Sequence, residues 1–475
     1  MGTRIGRAFD APRTTGGKLL AAGAVLVVAV AIGVGTAFGA PGVLASLSLA
    51  ANPVSTTPPP APVLPSPALR ALGDAAPLPS ERGMSIALDP LATTDAVGDL
   101  TGAVVDAVTG TSLWERGGTR SQVPGSTAKI VTAAAALLAI DPDRRLETTV
   151  VSGAAPGTVV LVGGGDPTLS ALPAGQESVY PGAPKLDDLV AQVKAAAPGG
   201  VTAVQVDVSR YPGDPMGPGW LAADIPGGYI APIVPVMLDG GRGVPTEQDT
   251  PRSATPALTA AAELARRLGA DPASVSVGTA PQGASVLGTV RSQPVRELVI
   301  HALQLSDNVL AEVLAHEVAI AAGGSPTFDG AIAAIRQVLT SAGIDLAGLD
   351  LVDGSGLSAQ NKLTARGLAA VLAAVVGPAG DPDSAALRPL LDGLPIAGGT
   401  GTLTSRYSEG DARAGRGYVR AKTGTLTDVN SLAGVVLDQD GRLLVFALLS
   451  NGAPSVTARP ALDAIAATLR TCGCR

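Results

Sequence analysis

At 475 residues the chain is too long for one ordinary domain, and with 46% apolar residues but only 2% aromatic ones its cores must be built from small aliphatic side chains. A formal charge of −7, without a basic stripe and with few rings for base stacking, excludes nucleic acid as a partner class. The 2 histidines, His301 and His316, fall in no metal-binding pattern, and the 2 cysteines, Cys472 and Cys474, form a terminal Cys-Gly-Cys with no histidine nearby, so no metal site is expected; that pair is either a tail disulfide or an unpaired dithiol.

Arg4, Arg7, Arg13 and Lys18 make residues 1–18 a basic leader ahead of a charge-free stretch. Residues 19–40 are long and apolar enough for a helix of about 20 residues crossing a bilayer. The alternative is a cleaved signal segment with small residues such as Ala37 and Gly39 at the cut. Under either reading the rest of the chain is extracytoplasmic. Residues 41–84 read as a linker, because the proline-dense piece from Pro53 to Pro67 cannot build regular hydrogen-bonded structure and favours polyproline II.

Folded sequence is expected from Met84 onward. Residues 100–105 and 111–114 read as a hairpin around Thr109-Gly110. A helix is expected to start at Ser126, and its continuation over 130–138 is apolar on every face, which places it in the middle of a domain. Residues 148–286 change character and read as an inserted β-rich domain, with strands at 158–162 and 201–208 and a helix at 186–197. No motif residue falls in this insertion, so it is expected to stand apart from the chemistry.

Helical periodicity returns at 294–322, 328–342 and 364–376, and strands are expected at 418–422, 431–437 and 443–450 before a closing helix at 460–470. If the N-terminal hairpin joins those three strands, residues 85–147 and 287–475 form one α+β domain, an antiparallel sheet flanked by helices.

Three short motifs carry possible chemistry. Ser126-Thr127-Ala128-Lys129 puts a hydroxyl and an amine one helical turn apart. The lysine lies in an all-apolar stretch, so burial would lower its pKa and make it a usable base; the competing reading is a helix cap followed by a surface lysine. Ser306-Asp307-Asn308 offers a hydroxyl for proton relay and an amide for a substrate carbonyl, or else simply caps a helix. Lys422-Thr423-Gly424-Thr425, at the end of an expected strand, offers a cation and hydroxyls for a carboxylate, with Gly424 allowing close backbone approach; alternatively it is a strand-to-turn junction. Gly163-Gly164-Gly165-Asp166 lacks the Gly-Lys-Ser/Thr of a phosphate loop and reads as a turn.

In this order the three motifs are the signature of the penicillin-recognising serine acyl enzymes. From residue 85 onward the chain resembles the D-Ala-D-Ala carboxypeptidase and endopeptidase group, the class C low-molecular-mass penicillin-binding proteins. Pro124 to Lys129, Gly164 to Leu169, Asp353 to Ser358 and Lys422 to Gly434 are the similar stretches, and the long gap between the first two motifs matches that family's insertion. Asp428, where the family usually shows glycine, and Thr400, in place of a common aspartate, are departures.

The resemblance implies a penicillin-binding/β-lactamase-like fold and an acyl-enzyme on Ser126 formed from peptidoglycan peptides ending in D-Ala-D-Ala or from β-lactam antibiotics, without a cofactor. It further implies Lys129 as base, Ser306 as proton donor to the leaving amine, Asn308 as carbonyl ligand, Lys422, Thr423 and Thr425 as carboxylate ligands, and the backbone N–H groups of Ser126 and Thr425 as oxyanion hole. A serine β-lactamase shares all three motifs, and a non-hydrolytic β-lactam-binding module is the remaining alternative.

Overall fold

The computed structural model describes residues 76–378 and 380–475. The expected leader, the apolar segment 19–40 and the proline-rich stretch lie outside the described residues. Among the described residues no helix is long and apolar enough to cross a membrane.

Chain order begins with α1 (Glu81–Ala92), which starts inside the stretch read as linker, its N-cap Ser80 accepting a hydrogen bond from the Gly83 N–H. Then come β1 (Asp99–Asp106), β2 (Ser112–Arg116), the short β3 (Ser121–Gln122), a 3₁₀ turn at Gly125–Ala128 and α2 (Lys129–Ala139). The inserted stretch supplies β4 (Arg145–Ser152), β5 (Thr158–Val162), α3 (Leu186–Ala196), β6 (Ala203–Asp207), α4 (Pro256–Leu268), β7 (Ser276–Val277) and β8 (Val286–Pro294). A helical run follows: α5 (Val295–Gln304), α6 (Asn308–Ala321) and α7 (Phe328–Ser341), then β9 (Leu363–Thr364), α8 (Ala365–Val375), α9 (Pro382–Leu387) and α10 (Pro389–Gly393). The chain closes with β10 (Val419–Leu426), β11 (Val429–Leu437), β12 (Leu443–Asn451) and α11 (Ser455–Thr471).

The first sheet has five strands in the order β10-β11-β12-β1-β2, all antiparallel, so the N-terminal hairpin does join the three C-terminal strands. Both faces are covered, which is why β11 and β12 read as almost continuous apolar runs. Leu100, Val104, Leu432, Phe446 and Leu448 pack on one side with Met84, Leu88, Leu462 and Ile465 of α1 and α11. Ala103, Ala433, Val445, Ala447 and Leu449 face the helical layer, whose centre is α2, buried from Lys129 to Leu137 and half-buried at Leu138 and Ala139.

The second sheet runs β7-β6-β5-β4-β8 and is mixed, with β4 antiparallel to β5 and β8, and β5, β6 and β7 parallel. Leu186, Leu189 and Val193 of α3, and Ala260, Ala261 and Leu264 of α4, cover it. The sequence showed α3; α4, whose small alanines form its buried face and which ends at the left-handed Gly269, was missed.

Other residues of the insertion, among them Tyr180, Tyr211, Trp220 and Ile230, enter the same core as α2, α6 and α7. The stretch 294–322, read as one helical segment, is two helices broken at Leu305 to Asp307, with Ser306 in the left-handed region at φ 56°.

Candidate active site

The first motif begins on the 3₁₀ turn and passes directly into α2, so the Ser126 hydroxyl and the Lys129 amine share one face at the helix entrance. Lys129 Nζ lies 2.9 Å from Ser126 Oγ, 2.6 Å from Asn308 Oδ1 and 2.7 Å from the Ser355 carbonyl oxygen. Burial pulls its pKa down to about 8, against the opposing charges of Glu312, Asp353 and Asp307.

The break between α5 and α6 is what aims the second motif. Left-handed Ser306 turns its hydroxyl toward Lys422, whose ammonium donates to Ser306 Oγ at 2.8 Å and to the Thr423 carbonyl at 2.8 Å. Asp307 caps α6 by accepting from the Leu310 N–H at 3.0 Å. Asn308 accepts from Lys129 and gives an amide N–H to the Tyr229 carbonyl at 2.9 Å.

The third motif lies within β10, the edge strand beside the nucleophile turn, rather than at a strand end. A methyl group on Gly424 would sit 2.1 Å from Ser431 Oγ, 2.6 Å from the Pro124 carbonyl oxygen and 2.9 Å from the Ser126 nitrogen, so only glycine lets the strand lie this close. The close approach places the backbone of Ser126 beside that of Thr425. Lys422 itself is fully buried behind Ser306; burial, then the neighbouring charge of Lys129, lowers its pKa well below the ordinary lysine value. The open cleft, about 350 Å³, is lined by Ser126, Ser306, Thr402, Arg406, Thr423, Thr425 and Arg459.

All eight residues singled out from the sequence, Ser126, Lys129, Ser306, Asn308, Lys422, Thr423, Gly424 and Thr425, therefore meet at this one place. Sequence reasoning missed the groups behind them. Glu312, fully buried one turn after Asn308 on α6, accepts the Gly354 and Ser355 N–H groups at 2.9 and 2.7 Å, and so fixes the turn whose carbonyl receives Lys129. Burial first, then the Asp353 charge, pushes its pKa up to about 8. An acid inside Val309-Leu310-Ala311-Glu312-Val313-Leu314 was the available signal. Asp353 accepts from Gly356 N–H, Ser358 N–H, the Asn361 amide and, at 2.9 Å, the indole N–H of Trp220. The Asp353-Gly354-Ser355-Gly356 stretch is thus a turn behind Lys129.

The insertion does not stand apart from this apparatus. Arg242 and Tyr180 both reach Asp307 Oδ2, at 2.6 and 2.7 Å, and Tyr229 receives the Asn308 amide. The expectation of separation failed because it considered only where motif residues fall in the sequence, while these contacts join distant positions.

The profile of the D-Ala-D-Ala carboxypeptidase 3 (S13) family matches residues 84–251 and 243–471. The chain is 48% identical over 422 residues to a carboxypeptidase of Mycobacterium tuberculosis, covering 88% of this chain and 90% of that one. It is 48% identical over 428 residues to carboxypeptidase DacB of Mycolicibacterium smegmatis, covering 90% and 91%. Among solved structures, penicillin-binding protein 4 of Haemophilus influenzae superposes with a TM-score of 0.65 over 82% of this chain and 98% of that one at 20% identity, a likeness of fold, and has also been solved in complex with a β-lactam. The three assembled motifs, the profile match along the folded chain and the two long alignments together establish that this chain belongs to the D-Ala-D-Ala carboxypeptidase (S13) family of serine peptidases.

Proposed function

We propose that Ser126 is the nucleophile of this D-Ala-D-Ala peptidase and Lys129 its general base. The observation that carries the reading is the 2.9 Å contact between Lys129 Nζ and Ser126 Oγ in a buried setting that draws the amine toward neutrality. With a pKa about 8, roughly a tenth of the amine is neutral at pH 7, enough to accept the hydroxyl proton.

Ser126 Oγ then bonds to the carbonyl carbon of the penultimate D-Ala as its proton passes to Lys129 Nζ. When the C–N bond breaks, Ser306 Oγ, itself bonded to Lys422, hands its proton to the departing amine of the terminal D-Ala and takes in exchange the proton held on Lys129, which is thereby neutral again. Water next attacks the ester, giving up a proton to neutral Lys129, which returns it to Ser126 Oγ as the shortened peptide leaves. The backbone N–H groups of Ser126 and Thr425 hold the oxyanion of both tetrahedral intermediates, Asn308 orients the peptide carbonyl, and Thr423 and Thr425 take the terminal carboxylate without the expected Lys422, which is buried and bonded to Ser306. A β-lactam enters the same path and stops at the ester.

Residues 19–40 act in this reading as the membrane anchor or export signal, with 1–18 cytoplasmic and 41–79 as spacer; the catalytic domain begins with α1, and the insertion runs from β4 to β8, residues 145–294, rather than over the expected 148–286. Intact-mass measurement after penicillin treatment tests the core of the proposal: one adduct on the wild type, mapped to Ser126, and none on folded Ser126→Ala. A long-lived adduct with cleavage of defined muropeptides supports the peptidase, whereas rapid adduct turnover would assign the chain to β-lactam hydrolysis instead.

A further inference from the structure

The cleft contains hydroxyls from Ser126, Ser306, Thr402, Thr423 and Thr425 and guanidinium groups from Arg406 and Arg459, and among the described residues no carboxylate lines it. Its two cations are in different situations. Arg406 is committed: it forms a two-point pair with Asp463, at 2.9 and 2.7 Å, and donates to the Arg459 carbonyl at 3.2 Å. That pair fixes the first turns of α11 over the edge strand. For Arg459, among the described residues, no carboxylate comes within ion-pair distance; its guanidinium leans on Thr425 Oγ1 at 3.1 Å. Lys422, the cation named by the motif, is buried behind Ser306 and bonded to it, and does not line the cleft.

A site with clustered donors, no acid in its lining and one guanidinium without a directly paired carboxylate suits a small anion whose oxygens can take several N–H and O–H bonds at once. We propose that Arg459, on the last helix and outside all three motifs, is a specificity-determining residue that binds the C-terminal carboxylate of the peptide beside Thr423 and Thr425. This rests on the reading of the cleft as the acylation site of Ser126. It divides the work of the two cations: Lys422 serves Ser306, and Arg459 selects substrates with a free carboxylate. Arg406 is the positioning residue that holds the Arg459 backbone.

The test compares kcat/KM for a diacylated peptide ending in D-Ala-D-Ala with that for its C-terminal amide, in wild type, Arg459→Ala and Arg459→Lys. Loss of one charge-assisted contact is expected to lower the acid's kcat/KM about 10-fold in Arg459→Ala and to leave the amide within about twofold, so that the preference for the acid shrinks. Arg459→Lys should fall between, because a point charge replaces a planar fork. Unchanged rates, or equal losses on acid and amide, would overturn the role of Arg459. Failure of the wild type to form any adduct at Ser126 would instead overturn the acylation reading and this inference with it. A normal adduct with an unaltered acid-to-amide ratio in Arg459→Ala would remove the arginine alone.

Discussion

Arg242 Nη2 lies 2.6 Å from Asp307 Oδ2, and neither side chain is exposed to solvent. The arginine comes from the insertion and the aspartate is the middle residue of the second motif, so a group remote in sequence sets the backbone that displays Ser306 and Asn308. Burial alone would raise the Asp307 pKa, but the charges of Arg242 and Arg252 outweigh it and hold the carboxyl well below the usual carboxylate range.

Arg242→Met leaves a buried carboxylate without its main partner and is expected to cost about 3–5 kcal/mol. Acylation by penicillin should slow even at temperatures where the variant is fully folded, and Arg242→Lys should recover part of the rate. A depressed folded-state pKa contributes stability that is present above the unfolded value and lost as pH falls through the folded one. Wild-type stability should therefore decline below about pH 4, with a shallower decline in Arg242→Met. Chemical denaturation from pH 2 to 7 checks this. A destabilised but folded variant acylating at the wild-type rate would show that Asp307 does not hold Ser306 in place.

Acylation should depend on pH through Lys129. The base works when neutral, so the rate should rise with pH and level off above about 8. Glu312, whose own pKa is raised, carries its charge toward the upper part of this pH range, where it keeps the Lys129 pKa from falling further. Glu312→Gln is therefore expected to move the inflection to lower pH, at some cost in stability from the N–H groups it no longer satisfies. Stopped-flow acylation between pH 5.5 and 9.5 reads the inflection directly, and an upward movement would contradict the arrangement.

Burying Lys422 opposes folding at neutral pH, because its pKa is lowered and the unfolded chain holds the proton more tightly. The penalty fades as pH climbs toward the unfolded lysine value, about 10.4. The stability of Lys422→Met relative to wild type should accordingly be greater at neutral pH than near pH 10, where the difference fades, while its acylation rate is depressed throughout. Equal pH dependence of unfolding in the two proteins would argue that Lys422 folds into the site without losing its charge.

Gly424→Ala forces its methyl group onto Ser431 Oγ and the Pro124 carbonyl. The strand must move away from the nucleophile turn, at about 1–3 kcal/mol in stability. The larger effect is expected in acylation, because the Thr425 N–H retreats from Ser126. Intact-mass adduct kinetics separate the two, and a rate loss no greater than that of a comparably destabilised core variant would count against the oxyanion role.

The eight motif residues were legible because their chemistry is local: a hydroxyl and an amine one turn apart, and a glycine in a strand. The kink at Ser306 was not, since the apolar periodicity runs on from Leu303 to Val309 and only the capping aspartate marks the break. Arg242 and Tyr180 gave no sign of their role, because an ion pair between residues 242 and 307 is decided by tertiary packing that no local pattern records. Asp428, flagged as a departure from the family's glycine, takes φ 52°, a conformation that aspartate tolerates better than most residues, so the hairpin between β10 and β11 keeps its left-handed position. The first sheet was read correctly because hairpins and apolar runs identify strands; the second was harder because β5, β6 and β7 are short and run parallel.

The pairing of β1 with β12 has a bearing on biogenesis. β12 lies between β11 and β1, so the strand carrying Lys422 and the hairpin preceding Ser126 are united only when the segment Leu443–Asn451 is in place. A nascent chain emerging in sequence order presents Ser126 and Lys129 long before the edge strand can dock beside them. With Ser126 as the proposed nucleophile, competence to react would arrive only with this last long-range strand closure, a kind of pairing that is intrinsically slow.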